Sequence, residues 1–189
     1  MEKSKNMDNF PTHTIDDLDD QALLRGRDQA IAQLDWARAY SLQLIDSIPT
    51  ELWYVRPENS DTHLAWQVGH LAVSEYGLML FRQRGRAPGD LELMPGWLRK
   101  QFGRGSQPAP SSQNMPTPSE LLDRLHAIHQ QSLQEARQLS CATLREPTDM
   151  PYAAYPIKLG AMLFCPIHEA LHAGQIGFLR RLHGLPPLR

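Results

Sequence analysis

Two histidines, His168 and His172, stand four positions apart in the stretch PIHEALHAGQIGFLRRLHG, which runs from Pro166 to Gly184. On an α-helix that spacing stacks both imidazoles on one face, one turn apart. Inward-facing imidazoles need polar partners, because an unsatisfied buried polar group costs roughly 1–3 kcal/mol. Backbone groups can supply them, and so can one metal ion shared by both rings. A third histidine tips the balance toward metal. His70 falls in the middle of an apolar stripe of Trp66, Val73, Gly77 and Leu80, so it too faces inward. Three neutral imidazoles favour Zn²⁺, Ni²⁺, Cu²⁺ or Fe²⁺ over the oxygen-seeking Mg²⁺ and Ca²⁺. Three protein ligands also leave a coordination position open, as catalytic sites do. At that position a divalent transition metal, zinc or nickel first among them, lowers the pKa of water or holds a thiol as thiolate.

Other side chains could join this set. His129 points toward the core of its own helix, which leaves three roles open: a fourth ligand, a hydrogen-bond partner behind the ligands, or a plain buried polar group. Gln175 lies three residues after His172 on the same face and suits a supporting hydrogen bond. Cys165 completes a C-x-x-H-x-x-x-H string, but reads as a small buried residue at the helix start. Residues 168–172 also spell H-E-x-x-H, in which Glu169 would be the general base of a metalloprotease. The helical wheel turns Glu169 about 100° from His168, toward solvent, and only His183 follows as a downstream ligand. The protease reading is set aside on those grounds.

Four long amphipathic patterns must position these residues. The first runs from about Asp20 to Ile48 and stops at Pro49. The second runs from about Thr62 to Arg84, with Ser60, Asp61 or Thr62 as its cap and Gly85 as its end. The third starts at Thr117, where Pro118 and Glu120 complete a T-x-x-E capping box, and fades near Cys141. The last starts at Pro166, taken as a first helical position, and ends at Gly184. Its wheel gathers Ile167, Leu171, Gly174, Phe178 and Leu182 on the expected inner side and leaves Glu169, Ala173, Gly177 and Arg180 outside. Residues 86–116 form a long connection rich in Gly, Pro and Ser, with a short helical turn at Gly96–Phe102. Residues 142–165 form another, which has room for a short extended piece. The pattern predicts an all-α protein, a four-helix up-and-down bundle with long connecting loops. In that topology helices two and four are parallel, and the heights of His70, His168 and His172 along them are compatible with one site.

Bulk properties narrow the field further. A chain of 189 residues suits one domain, read as residues 16–189 behind a flexible lead-in at 1–15. A net charge of −2 with scattered Lys and Arg gives no nucleic-acid or membrane-surface signal. The sequence shows no apolar run long enough to span a membrane and no signal-peptide pattern at its start. Two isolated cysteines, Cys141 and Cys165, then suit a reducing cytoplasmic setting. The expected partner is a small-molecule substrate, and the alternative to an enzyme is a non-catalytic metal- or small-ligand-binding module.

Two segments, LWYVRPENSDTHLAWQVGHLAVSEY (52–76) and HEALHAGQIGFLRRLHG (168–184), combine a W-x-x-x-P stretch, a G-H in the following helix, and a closing H-x-x-x-H-x-G-Q helix. In these the chain resembles the DinB/YfiT-like superfamily of metalloenzymes, over about residues 20–184. The resemblance implies a four-helix bundle with a three-histidine metal site, matched here by His70, His168 and His172. It implies activities of the thiol S-transferase or thiol-dependent isomerase type, with a low-molecular-weight thiol as co-substrate, and a homodimer. Many members carry Arg after the last ligand histidine, where this chain has Ala173.

Overall fold

The computed structural model describes residues 13–15, 18–150 and 153–188. The lead-in expected over residues 1–15 lies, apart from 13–15, outside the described residues. Four long helical segments organise the rest, and the described residues contain no strand, only an isolated bridge between Pro147 and Ile157. The chain is therefore all-α, as the sequence pattern predicts.

The first helix spans Asp20–Asp46, with the Asp19 carboxylate accepting from the Ala22 N–H at 2.6 Å as N-cap. The second spans Leu64–Glu75 and continues through a π-helical turn at Tyr76–Phe81 into Arg82–Arg84. Gly85, at φ 77°, ends it in a backbone conformation other residues rarely adopt. Its cap is none of the three residues expected. His63 Nδ1 accepts from the Trp66 N–H at 3.1 Å, while Nε2 donates to the Ala109 carbonyl at 3.1 Å. The third long helix spans Pro118–Ala136 behind the anticipated capping box, with Thr117 and Glu120 bonding each other's backbone N–H. It stops short of Cys141, which opens a separate one-turn helix at Cys141–Leu144 capped by Ser140. The connection after Gly85 holds two short helices, Asp90–Leu93 and the anticipated Gly96–Phe102.

The last helix departs most from expectation. It spans Lys158–Leu182, so Pro166 lies well inside it rather than at its start. A mid-helix proline forfeits one backbone hydrogen bond, yet the apolar run LGAMLFCP continues across it because that stretch packs into the core. The inner face is also the reverse of the expected one. Ile167 and Leu171 are 55% and 61% exposed, and Phe178 and Leu182 also face outward. Glu169, Ala173, Ile176 and Arg180 are buried instead. Hydrocarbon partitioning alone does not orient this helix.

Ion pairing does. Arg38 of the first helix is buried at the centre of the molecule. Its Nε and Nη2 donate to the two Glu169 oxygens at 2.9 Å each, and Nη2 also donates to Glu75 Oε2 at 2.8 Å. Nη1 donates to the Leu125 carbonyl of the third helix at 3.2 Å. The four long segments thus meet at one guanidinium. Around it, the first and last helices share the largest interface, and the second packs on the third and on Gly96–Phe102. One apolar cluster, including Leu64, Val68, Leu98, Phe102 and Ile176, surrounds the first part of the second helix. Another, including Leu23, Leu34, Met79 and Met162, lies around the π turn and the start of the last helix. No described helix is long and apolar enough to cross a membrane.

Candidate metal centre

His70, His168 and His172 converge. One ring nitrogen from each lies within 4.8 Å of the other two, and no other described group of three or more His, Cys, Asp or Glu side chains does so. Ring centroids are 5.3 Å apart for His70 and His168, 4.8 Å for His70 and His172, and 4.5 Å for His168 and His172. Two of the histidines come from adjacent turns of one helix and the third from the helix packed beside it.

Hydrogen bonds fix which nitrogen of two rings is available. His70 donates from Nδ1 to the Phe102 carbonyl at 2.8 Å, so its lone pair is on Nε2, where the Ser74 hydroxyl lies 3.3 Å away. His172 donates from Nδ1 to Gln67 Oε1 at 2.6 Å, and Gln67 in turn donates its amide N–H to the Thr62 hydroxyl at 3.0 Å. The Thr62 contact sets the amide orientation, the amide sets the His172 tautomer, and the lone pair is again on Nε2. His168 has no hydrogen bond among the described residues and is enclosed by ring contacts, including Phe164 at 6.0 Å. The Trp66 indole lies flat on His70, with centroids 4.6 Å apart and planes 9° from parallel, and its Nε1 donates to Ser106.

The close approach of Phe102 depends on Gly69. A Cβ at that position would stand 2.4 Å from the Phe102 ring. Glycine there lets the Gly96–Phe102 helix settle on the second helix, and so brings its terminal carbonyl to His70.

Burial keeps the imidazoles neutral. It lowers the His168 pKa to about 4 and that of His172 to about 3, and the neighbouring imidazoles add to both shifts. His70 is lowered as well, chiefly by burial. At neutral pH the cluster therefore offers three uncharged lone pairs, the form in which histidine ligates metal. With no carboxylate among the converging atoms, the donor set suits a transition metal and does not suit Mg²⁺ or Ca²⁺.

The remaining candidates fall elsewhere. His129 is turned to a different set of partners, with Nδ1 3.0 Å from Glu75 Oε1 and Nε2 3.3 Å from Asp35 Oδ1. It belongs to the ion cluster around Arg38. Gln175 is exposed, three residues beyond His172 on the same helix. Cys165 is inside the helix and buried, and burial and the nearby carboxylates push its thiol well above the ordinary range, so it stays a thiol. Glu169 is buried rather than solvent-facing, which corrects the wheel-based expectation. The metalloprotease reading still fails, because both its oxygens accept from Arg38 and neither is available as a base. Gln67, Trp66 and the Phe102 carbonyl were not singled out from sequence as parts of the site. Gln67 alone left a trace, as a polar residue three before His70 in an otherwise apolar run.

A comparison with curated proteins gives no match. The sequence profile of the DinB superfamily matches residues 33–176, well over half of the chain and a span that holds all three converging histidines. On that match the chain belongs to the DinB superfamily.

Proposed function

We propose that His70, His168 and His172 hold a divalent transition metal, zinc or nickel, through their Nε2 atoms, and that the protein is an enzyme acting on a thiol or water and a small electrophile. The observation that carries this reading is the convergence of three neutral imidazoles, two of them with Nδ1–H already committed to acceptors. When bound, such an ion supplies a Lewis-acidic position at which a thiol or a water gives up its proton near neutral pH. The chain's own residues provide the rest. The Phe102 carbonyl and Gln67 hold two ring planes at fixed angles, and Trp66 covers one face of His70. Transfer of a low-molecular-weight thiol, or thiol-dependent isomerisation, is the chemistry this arrangement serves. The same reading takes the four long segments as an up-and-down bundle and the working form as a homodimer.

Elemental analysis of the purified protein and of His70→Ala, His168→Ala and His172→Ala tests the site. The expected result is about one metal per chain, lost in each variant. Stoichiometric metal in all three variants would rule the site out. A panel of thiol-transfer, hydrolysis and isomerisation reactions with the metal-loaded protein tests the enzyme. Strong thermal stabilisation by metal with no turnover on the panel would instead identify a binding module.

A further inference from the structure

The histidine cluster borders a cavity of about 440 Å³, and its lining has an uneven chemistry. His70 and His168 stand at its edge. Val73, Leu78, Met150 and Phe164 give it apolar walls. Arg82 and Arg104 also line it, and among the described residues no Asp or Glu does. Several arginines elsewhere in the described molecule meet carboxylates: Arg38 with Glu75 and Glu169, Arg84 with Asp90 and Glu135, Arg145 with Asp20. Arg82 has no carboxylate within salt-bridge distance among the described residues. Its one hydrogen bond runs from Nη1 to the Gly77 carbonyl at 3.3 Å, inside the π-helical turn that forms part of the cavity wall. That bond holds the guanidinium beside the cavity and uses one of its five N–H donors. A π turn inserts an extra residue into the helix and re-aims the side chains that follow it, a device often found at functional sites.

Two guanidiniums, apolar walls and no acid describe a receptor for a small organic anion. We infer that this cavity binds a substrate or co-substrate carrying a carboxylate or phosphate group, with Arg82 and Arg104 engaging the anion, the apolar walls covering its carbon skeleton, and its reacting end directed toward His70 and His168. The volume fits the inference, being that of about fifteen water molecules at the ~30 Å³ each occupies in the liquid. Guanidinium forks match the geometry of both acid groups. The inference rests on the proposed metal site for where the reacting end lies, but the recognition of the anion does not require the metal.

The test uses hexanoate, hexyl phosphate and neutral hexanamide, titrated calorimetrically into the zinc-loaded protein, Arg82→Met, Arg104→Met, the double variant and His168→Ala. At least one anion is expected to bind about tenfold or more tighter than the amide, and each single arginine variant is expected to lose most of that preference. Zinc content and melting temperature of the arginine variants should match the parent protein. Hexanoate against hexyl phosphate then identifies the acid group. Equal affinity for anions and amide overturns the inference. So does a preference that survives in the double arginine variant and disappears in His168→Ala, since the anion would then be sitting on the metal. Should the parent protein bind no zinc while an arginine-dependent anion preference persists, the metal reading fails and the anion site stands.

Discussion

Replacing Arg38 by Met probes the ion cluster at the centre of the molecule. Methionine keeps the length of the side chain and removes the charge. The change deletes three hydrogen bonds to carboxylate oxygens, all at 2.8–2.9 Å, and removes the side-chain donor to the Leu125 carbonyl. Glu169 is only 2% exposed, and Glu75 only 1%, so neither can recover its loss from solvent. Breaking a buried pair by removing one partner costs roughly 3–5 kcal/mol. For a chain of this size each kcal/mol moves the melting temperature by about 2–4 °C, so a fall of roughly 6–20 °C is expected. The pH dependence gives a second, independent sign. Burial pushes the Glu169 carboxyl up, but the charge and hydrogen bonds of Arg38 outweigh it and the net shift is downward. In the parent protein that group contributes stability above its unfolded pKa, and the contribution is lost as pH falls through the lower folded value. Without Arg38 the largest causes opposing burial are gone, the folded-state value rises, and the deficit of the variant should shrink as the pH is lowered toward 5. Adding Glu169→Gln to the variant should restore part of the loss, with a coupling of about 1 kcal/mol or more. The assay is calorimetric melting of the parent, both single variants and the double variant at pH 7.5 and pH 5. A single variant melting within about 2 °C of the parent at the higher pH, or a deficit identical at both, would refute the reasoning.

Three further outcomes follow from the site and its supports. Gln67→Leu removes the acceptor that fixes the His172 tautomer, and should weaken zinc binding by about 10–100-fold in a chelator competition while leaving the fold intact. Gly69→Ala places a methyl group 2.4 Å from the Phe102 ring, so it should destabilise the protein by about 1–3 kcal/mol and also weaken zinc binding by displacing the carbonyl that holds His70. His63, lowered by burial from 6.5 to about 4, is neutral when folded. Its contribution is therefore present above pH 6.5 and lost as pH falls from there toward 4. Between pH 7 and pH 5 the parent should lose about 1 kcal/mol more, by urea denaturation, than His63→Asn, after allowance for solvent screening.

Local chemistry was readable wherever it was written in side chains at short range. The T-x-x-E box at Thr117, the Gly85 terminus, the short helix at Gly96–Phe102 and the helical spacing of His168 and His172 all follow from rules within one or two turns. The convergence of His70 with that pair needed only compatible heights on neighbouring helices, and the structure brings them together. What escaped the sequence has a common cause. Pro166 carries a first-turn signature in isolation, and only packing of the preceding LGAMLFC run shows that the helix is already under way. The acceptor for His70 is a backbone carbonyl, which every residue type supplies, so no letter at position 102 announces it. The inner face of the last helix was misjudged because a wheel weighs hydrocarbon, whereas Glu169 is drawn inward by an arginine 131 positions earlier in the chain.

That misjudged face bears on how the molecule finds its structure. Turning the last helix about its axis would hide Ile167, Leu171 and Phe178 from water but expose Met162, Ile176 and Leu179, so hydrocarbon burial does not by itself choose between the two settings. The Arg38–Glu169 pair fits only one angular setting, and that setting is also the one that carries His168 and His172 to His70. Assembly of the site is thus coupled to rejection of a competing helix setting during folding. Refolding experiments should meet that competitor as a transient species, compact and helical, with the three imidazoles scattered and no affinity for metal.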